Sequence, residues 1–90
     1  SEVSHLSKQE ANKIKDKITS GMDVVFKTKK QAVEFIETKF PDFSEEISGH
    51  RSSQGWHFDS HPMGDNQQPI DHINIYSKNP KFNSHITWEK

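Results

Sequence analysis

The sequence predicts an α+β domain, in which two N-terminal helices pack on a small antiparallel sheet of three or four strands. The first half of the chain carries helix-start signals followed by apolar residues at helical spacing, and the second half carries segments in which apolar and polar residues alternate. The connections between these segments are short, which favours antiparallel pairing. The length of 90 residues allows one domain.

The first helix is predicted to begin at Ser7, because Glu10 follows three residues later in the pattern of a capping box. Gly21 is the expected end of this helix. Its apolar stripe is narrow, so the helix should pack at an edge; the stripe consists of Ala11, Ile14 and Ile18.

A brief extended segment is expected over residues 23–27. A second helix should then begin at Thr28, where Gln31 repeats the capping pattern, and end before Pro41. Its broader apolar face is suited to covering a sheet and consists of Ala32, Val33, Phe35, Ile36 and Phe40. The run over residues 41–53 is polar and is predicted to be a connection with a turn near Gly49.

Three strands are predicted, over residues 56–60, 70–76 and 84–88. A long polar loop over residues 62–69 separates the first two. A turn over residues 77–81, which contains Asn79-Pro80, separates the last two.

The composition excludes several classes of function. The chain has no cysteine, which rules out disulfides, thiolate metal sites and thiol nucleophiles. A formal net charge of −1 argues against a nucleic-acid binder that depends on a basic surface. No apolar run is long enough to span a bilayer. The hydrophobic fraction of 29% predicts a thin core, and the initial serine suggests a processed piece of a longer protein.

Histidine is the unusual residue, since five of the six lie after residue 49. Side chains alternate between the two faces of a strand, so each predicted strand places one histidine opposite its apolar residues. If the apolar faces meet the second helix, the other face carries His57, Asp59, His72, Asn74, Tyr76, His85 and Thr87. The remaining histidines, His5, His50 and His61, are interpreted as bystanders.

Two histidines on one face can act as base and acid in the cleavage of RNA by its own 2′-hydroxyl. His57 and His85 are the expected pair, with His72 as a third candidate. Residues that could stabilise charge on the phosphate are Arg51, Tyr76 and Thr87, and the candidate substrate-binding residues are Arg51, Ser52, Asn74 and Lys78. This chemistry requires no metal and no cofactor.

Two other interpretations use the same residues. The three histidines with Asp59 could ligate zinc or another first-row metal, although no local spacing signature of such a site is present. Alternatively, the histidine face could bind a protein partner without catalysis. An RNA-cleavage assay with a chelator separates the three interpretations. Activity that survives the chelator favours the metal-independent ribonuclease, activity that is lost favours the metal site, and no activity at all favours the partner-binding module.

The segments that contain the histidines are similar in sequence to those of a known protein family. The chain resembles the C-terminal toxin modules of bacterial polymorphic toxins, especially those attached to LXG-type N-terminal domains, over about residues 24–88. The similar segments are Phe26–Ile36, Gly49–Ser52, Gly55–Pro62, Asp71–Lys78 and His85–Trp88.

The resemblance implies a cytotoxic ribonuclease of the Barnase–EndoU–colicin–RelE type, with residues 1–22 as a connecting helix and residues 23–90 as the catalytic domain. It implies that His85 and Thr87 of a terminal His-x-Thr, with an upstream histidine at 57 or 72, are catalytic. It further implies secretion from the producing bacterium, action on RNA in the target-cell cytoplasm and a cognate immunity protein, with neither DNA nor a membrane as partner. Several such toxins are basic, and the charge of −1 departs from that pattern.

Overall fold

The structure is a computed structural model of the chain, and it describes residues 6–47, 52–62 and 69–89. It contains two helices and a five-stranded mixed sheet, which confirms the predicted α+β class. The elements in chain order are α1 (Lys8–Thr19), β1 (Val24–Phe26), α2 (Lys29–Lys39), β2 (Ser44–Glu45), β3 (Gln54–Pro62), β4 (Pro69–Lys78) and β5 (Lys81–Trp88).

Helix α1 begins and ends where the sequence predicts. The Ser7 hydroxyl accepts a hydrogen bond from the Glu10 amide at 3.0 Å, and the Glu10 carboxylate accepts one from the Ser7 amide at 3.2 Å, which completes the capping box. Gly21 follows the helix with a φ of 85°, and its amide donates back to the Ile18 carbonyl at 3.0 Å. Glycine adopts this left-handed conformation without steric cost, so the chain can turn sharply there.

Helix α2 uses a variant of the predicted start. The Thr28 hydroxyl accepts from the Gln31 amide at 3.1 Å, while the Gln31 side chain accepts from the amide of Lys27 rather than that of Thr28, at 3.0 Å. The helix ends at its C-cap Phe40, directly before Pro41, as predicted. Its buried residues are Ala32, Phe35 and Ile36. Within the described part of the chain, neither helix combines the length and the apolar content that a membrane crossing requires.

Strands β3, β4 and β5 form the predicted antiparallel meander. The β4–β5 hairpin turns through Asn79 and Pro80, which are joined by a cis peptide bond, inside the turn predicted over residues 77–81. β4 is the central strand, and its backbone is hydrogen-bonded to β3 along one edge and to β5 along the other.

The pairing at both edges of the sheet differs from the antiparallel prediction, although β1 lies inside the extended segment predicted over residues 23–27. β1 pairs in parallel with β5, and β2 pairs in parallel with β3, so the strand order is β1-β5-β4-β3-β2. The predicted antiparallel sheet of three or four strands is therefore a mixed sheet of five. The edge strands have three and two residues, which is too short for an alternating pattern, and β2 lies inside the polar run over residues 41–53. Helix α2 connects the two edges, as a crossover between parallel strands requires.

The core lies on one face of the sheet, where both helices pack. The Ser84 hydroxyl on this face donates to the Ile18 carbonyl at 2.6 Å, which ties the end of α1 to β5. Ile18 is fully buried, so α1 contributes to the same core as the sheet, while the functional division at residue 22 stays a prediction. The core residues are Ala11, Ile18, Phe26, Ala32, Phe35, Ile36, Phe40, Trp56, Ile73, Ile75, Phe82 and Ile86.

Candidate functional site

The register of the meander aligns two of the predicted catalytic histidines. His57 on β3 lies opposite Asn74 on β4, and Asn74 lies opposite His85 on β5. Paired residues of antiparallel strands project from the same face, so these three side chains form one row across the sheet. With neighbouring strands about 4.8 Å apart, the Cα atoms of the two histidines are about 10 Å apart.

The third predicted histidine lies on the next row of the same face. His72 is opposite Asp59, and its ring meets that of His85 edge to face, with a centroid separation of 5.2 Å. Thr87 follows Ile86 on β5, which places it level with His72. All three histidines thus lie on the face that the alternation of side chains along each strand predicts.

Glu46, which directly follows β2, lies beside His57. Its Oε1 atom is 3.1 Å from His57 Nδ1, at hydrogen-bond length but without hydrogen-bond alignment, and Asp59 Oδ2 is 3.6 Å from His57 Nε2. Both contacts are ion pairs when the imidazole is protonated. The Tyr76 hydroxyl donates to the same Glu46 Oε1 at 3.3 Å, which holds the carboxylate from its other side.

Asp23, which directly precedes β1, has the matching position beside His85. Its Oδ1 atom is 3.4 Å from His85 Nδ1 and accepts a hydrogen bond from the His85 backbone amide at 3.2 Å. The parallel pairing of β1 with β5 causes this placement, since Val24 is the partner of Ile86 and the preceding residues are therefore adjacent. The complete row reads Glu46, His57, Asn74, His85 and Asp23, with a carboxylate on the outer side of each imidazole.

This row, which we call the carboxylate–histidine row, has the groups that general acid–base catalysis uses. A carboxylate at Nδ1 orients an imidazole and selects Nε2 as the nitrogen that exchanges a proton with a substrate. The His57 and His85 side chains are 23% and 33% exposed, whereas His72 is 0% exposed. A substrate can therefore reach the first two, and His72 is in position to support His85.

Tyr76 occupies its place because residue 55 is glycine. Gly55 is the cross-strand partner of Tyr76, and a Cβ at position 55 would be 2.9 Å from the Tyr76 hydroxyl and 2.7 Å from the Ser44 carbonyl oxygen. Both distances are too short for real contacts, so the missing side chain lets β2 and the Tyr76 hydroxyl approach β3. The sequence predicts that Tyr76 contacts phosphate; in the structure its hydroxyl donates to Glu46.

The predicted substrate-binding residues are spread over a larger area. The Asn74 side-chain amide donates to the Asn83 side chain and to the Ser84 carbonyl, so it is bound to β5. The Ser52 hydroxyl donates to the Gln54 carbonyl at 2.7 Å in the approach to β3. Lys78 is exposed at the hairpin end of β4. Arg51 lies outside the described residues, as do His5, His50 and the side chain of His61.

Sequence reasoning missed Glu46 and Asp23. Glu46 lies in the polar run that the sequence predicts to be a connection, and Asp23 lies in a predicted extended segment for which the sequence indicates no partner. No short motif links either residue to its histidine, because parallel edge strands create both pairs. Among the described side chains, no three of His, Asp and Glu gather closely enough to hold a metal ion.

Comparison with protein-family models, with curated proteins and with solved structures finds no match for this chain.

Proposed function

We propose that this chain is a metal-independent endoribonuclease in which His57 and His85 are the acid and the base. The carboxylate–histidine row supports this proposal. It supplies two accessible imidazoles on one face, each beside its own carboxylate and on opposite sides of Asn74. A phosphodiester that lies over Asn74 has one imidazole on each side, as an in-line displacement at phosphorus requires.

In the proposed reaction one imidazole takes the proton of the 2′-hydroxyl while O2′ attacks phosphorus. The bond from phosphorus to O5′ breaks, and the other imidazole gives its proton to the leaving oxygen. The products are a 2′,3′-cyclic phosphate and a free 5′-hydroxyl. RNA rather than DNA is the substrate, because the attacking group is the 2′-hydroxyl.

The neighbours of the two imidazoles have supporting roles in this proposal. Glu46 and Asp23 are positioning residues beside Nδ1 of each ring, which leaves Nε2 for proton exchange. At His57 the substrate takes the place of the Asp59 carboxylate beside Nε2. Tyr76 positions Glu46, and His72 supports the ring of His85. Thr87 is half-buried one row from His85 and can donate to a phosphate oxygen. Arg51 remains a proposed phosphate ligand.

The charge of the site argues for a selective enzyme. Three carboxylates, those of Asp23, Glu46 and Asp59, lie close to the histidines, and the whole chain has a net charge of −1. Non-specific attraction to polyphosphate is therefore weak, and recognition has to come from local contacts and from the shape of the RNA.

The resemblance to polymorphic toxin modules supplies the proposed context. The ribonuclease acts as the toxic domain of a protein secreted by one bacterium into the cytoplasm of another. A cognate immunity protein then protects the producer, and covering the histidine face is the most direct way to block the proposed reaction.

The proposal is tested by incubating the purified chain with total RNA, with and without EDTA, and then with an oligonucleotide at a mapped cleavage site. We expect cleavage in EDTA, a cyclic phosphate at the new 3′ end, and no cleavage when the nucleotide at that site is 2′-deoxy. Loss of activity in EDTA, restored by a divalent ion, favours the metal-dependent nuclease. A folded chain that cleaves no RNA favours the partner-binding module. Either result contradicts the proposal.

A further inference from the structure

A pocket of about 710 Å³ lies at the β4–β5 hairpin, and two of its lining residues, Tyr76 and Asn83, are hydrogen-bonded to residues of the carboxylate–histidine row. Of its lining residues, Lys78, Lys81 and Asn83 are exposed and share the histidine face with Tyr76, whereas Ser77 and Phe82 belong to the helix-packed face. The hairpin end of the histidine face therefore presents two ammonium groups and an amide.

The two lysines stand directly opposite one another, since Lys78 is the cross-strand partner of Lys81. Like charges in this arrangement repel each other and destabilise a hairpin. No side chain within the described residues forms an ion pair with either ammonium group. An anion held between the two ammonium groups offsets the repulsion, so this pair is suited to binding a phosphate.

The lysine pair lies on the same face of the sheet as the carboxylate–histidine row. Asn74, Tyr76 and Lys78 alternate along β4 and therefore share the histidine face. Lys78 lies four positions after Asn74, which corresponds to about 13 Å along the strand. Asn83, the cross-strand partner of Tyr76, lies between these two levels. A phosphodiester over Asn74 and a phosphate between the lysines thus belong to different nucleotides of one strand.

We infer that the lysine pair at the β4–β5 hairpin is a phosphate-binding subsite that holds the RNA strand beyond the scissile bond. The inference rests on the proposed ribonuclease function and extends it to substrate length. Lysine suits this task as a compact charge on a flexible stem, which follows a phosphate without fixing its orientation. The subsite supplies affinity that the acidic surroundings of the histidines do not.

The test compares a dinucleotide with a hexanucleotide that contains the same cleavage site, in the parent chain and in a Lys78→Ala/Lys81→Ala double variant. The parent should have the higher kcat/KM for the hexanucleotide, and the double variant should lose about tenfold of this preference, mainly through KM. The salt dependence of binding should also become shallower, by about 1.4 in the log–log slope, for two lost contacts to single-stranded RNA.

The matched control is Lys13→Ala/Lys17→Ala, which removes the same charge from exposed positions of α1. It should leave the preference for the hexanucleotide and the salt slope unchanged. If the control reduces the preference as much as the hairpin variant, the effect comes from net charge and the inference is wrong. Thermal unfolding of the hairpin variant checks its fold, and its Tm should not fall, because a repulsive pair has been removed.

Failure of the inference and failure of the proposed function give different results. Cleavage by the parent with no change in length preference in the hairpin variant overturns the subsite and leaves the ribonuclease standing. A parent that cleaves nothing overturns the ribonuclease, and the subsite is then judged by binding of the 2′-deoxy hexanucleotide. Equal affinity of the parent and the hairpin variant for that strand overturns the subsite as well.

Discussion

The two faces of the sheet are made from the same three strands but are organised by different contacts. The helix-packed face is held by apolar burial, with Phe35, Ile73 and Ile86 fully buried between the layers. The histidine face is organised by pairs of polar side chains that cross from strand to strand. Alternation along each strand separates the two kinds of contact, so a substitution on one face can leave the chemistry of the other intact.

The faces also differ in where their important residues originate. Apolar residues of the core come mainly from α2 and the meander, which the sequence predicts well. The carboxylates of the histidine face come from the ends of β1 and β2, at the two edges of the sheet. The short parallel strands therefore complete the candidate site, and β1 also contributes Phe26 to the core.

The largest effect is expected from removing either imidazole of the row. His57→Ala and His85→Ala should each lower the rate of RNA cleavage by about 10²- to 10⁴-fold, the usual contribution of a general acid or base. Stability measured by urea unfolding should change little, because both side chains are partly exposed. The matched polar control, Asn12→Ala on the exposed side of α1, should retain full activity.

The pH profile of the same variants assigns the two roles. The parent should show a bell-shaped dependence of kcat/KM on pH, because one imidazole has to be neutral and the other protonated. Each single variant should lose one limb of the bell in its residual activity. A variant that keeps both limbs identifies an imidazole that does not exchange a proton with the substrate.

Removing a core side chain should lower stability and leave the activity of the folded chain unchanged. Phe35→Ala deletes a fully buried ring and should cost about 3–5 kcal/mol of unfolding free energy, a large part of the total for a small domain. Activity should fall only to the extent that the chain unfolds, as judged by circular dichroism at the assay temperature. Phe58→Ala is the matched control, since this ring is 42% exposed, and it should cost much less.

A substitution at Gly55 tests whether the close approach of β2 to β3 matters for the candidate site. Gly55→Ala places a Cβ 2.7 Å from the Ser44 carbonyl oxygen and 2.9 Å from the Tyr76 hydroxyl, so β2 or Tyr76 has to move. We expect a loss of about 1–3 kcal/mol in unfolding free energy and a fall in activity beyond that of Ser44→Ala, which keeps the backbone approach. Unchanged activity in Gly55→Ala would show that the position of Glu46 does not matter.

The sequence predicts the face of each histidine because that face depends only on the two-residue period of a strand. It also predicts the ends of α1, where Ser7 and Gly21 are local signals. It does not predict the partners of the histidines, because these depend on which strands become neighbours. Asp23 lies 62 residues from His85 along the chain, and no local pattern records a pairing at that separation.

The smallest effects are expected at the two carboxylates, and their difference is informative. Glu46 is 12% exposed and also accepts from Tyr76, whereas Asp23 is 61% exposed. Glu46→Gln should therefore lower kcat by about tenfold or more, although by less than the roughly 10⁴-fold known for a buried triad carboxylate. Asp23→Asn should lower it by less than about fivefold, since an exposed ion pair contributes about 0–1 kcal/mol.

Glu45→Gln is the matched control for the buried carboxylate, because Glu45 is exposed and adjacent to Glu46 on the opposite side of β2. Glu45→Gln should leave kcat unchanged. Added salt should reduce the effect of Asp23→Asn more than that of Glu46→Gln, because the exposed Asp23–His85 pair is well screened and the Glu46–His57 pair is not. Equal effects of all three substitutions would mean that the carboxylates act through overall charge. The two edges of the sheet would then be equivalent, and the orientation of the imidazoles would have to come from β4.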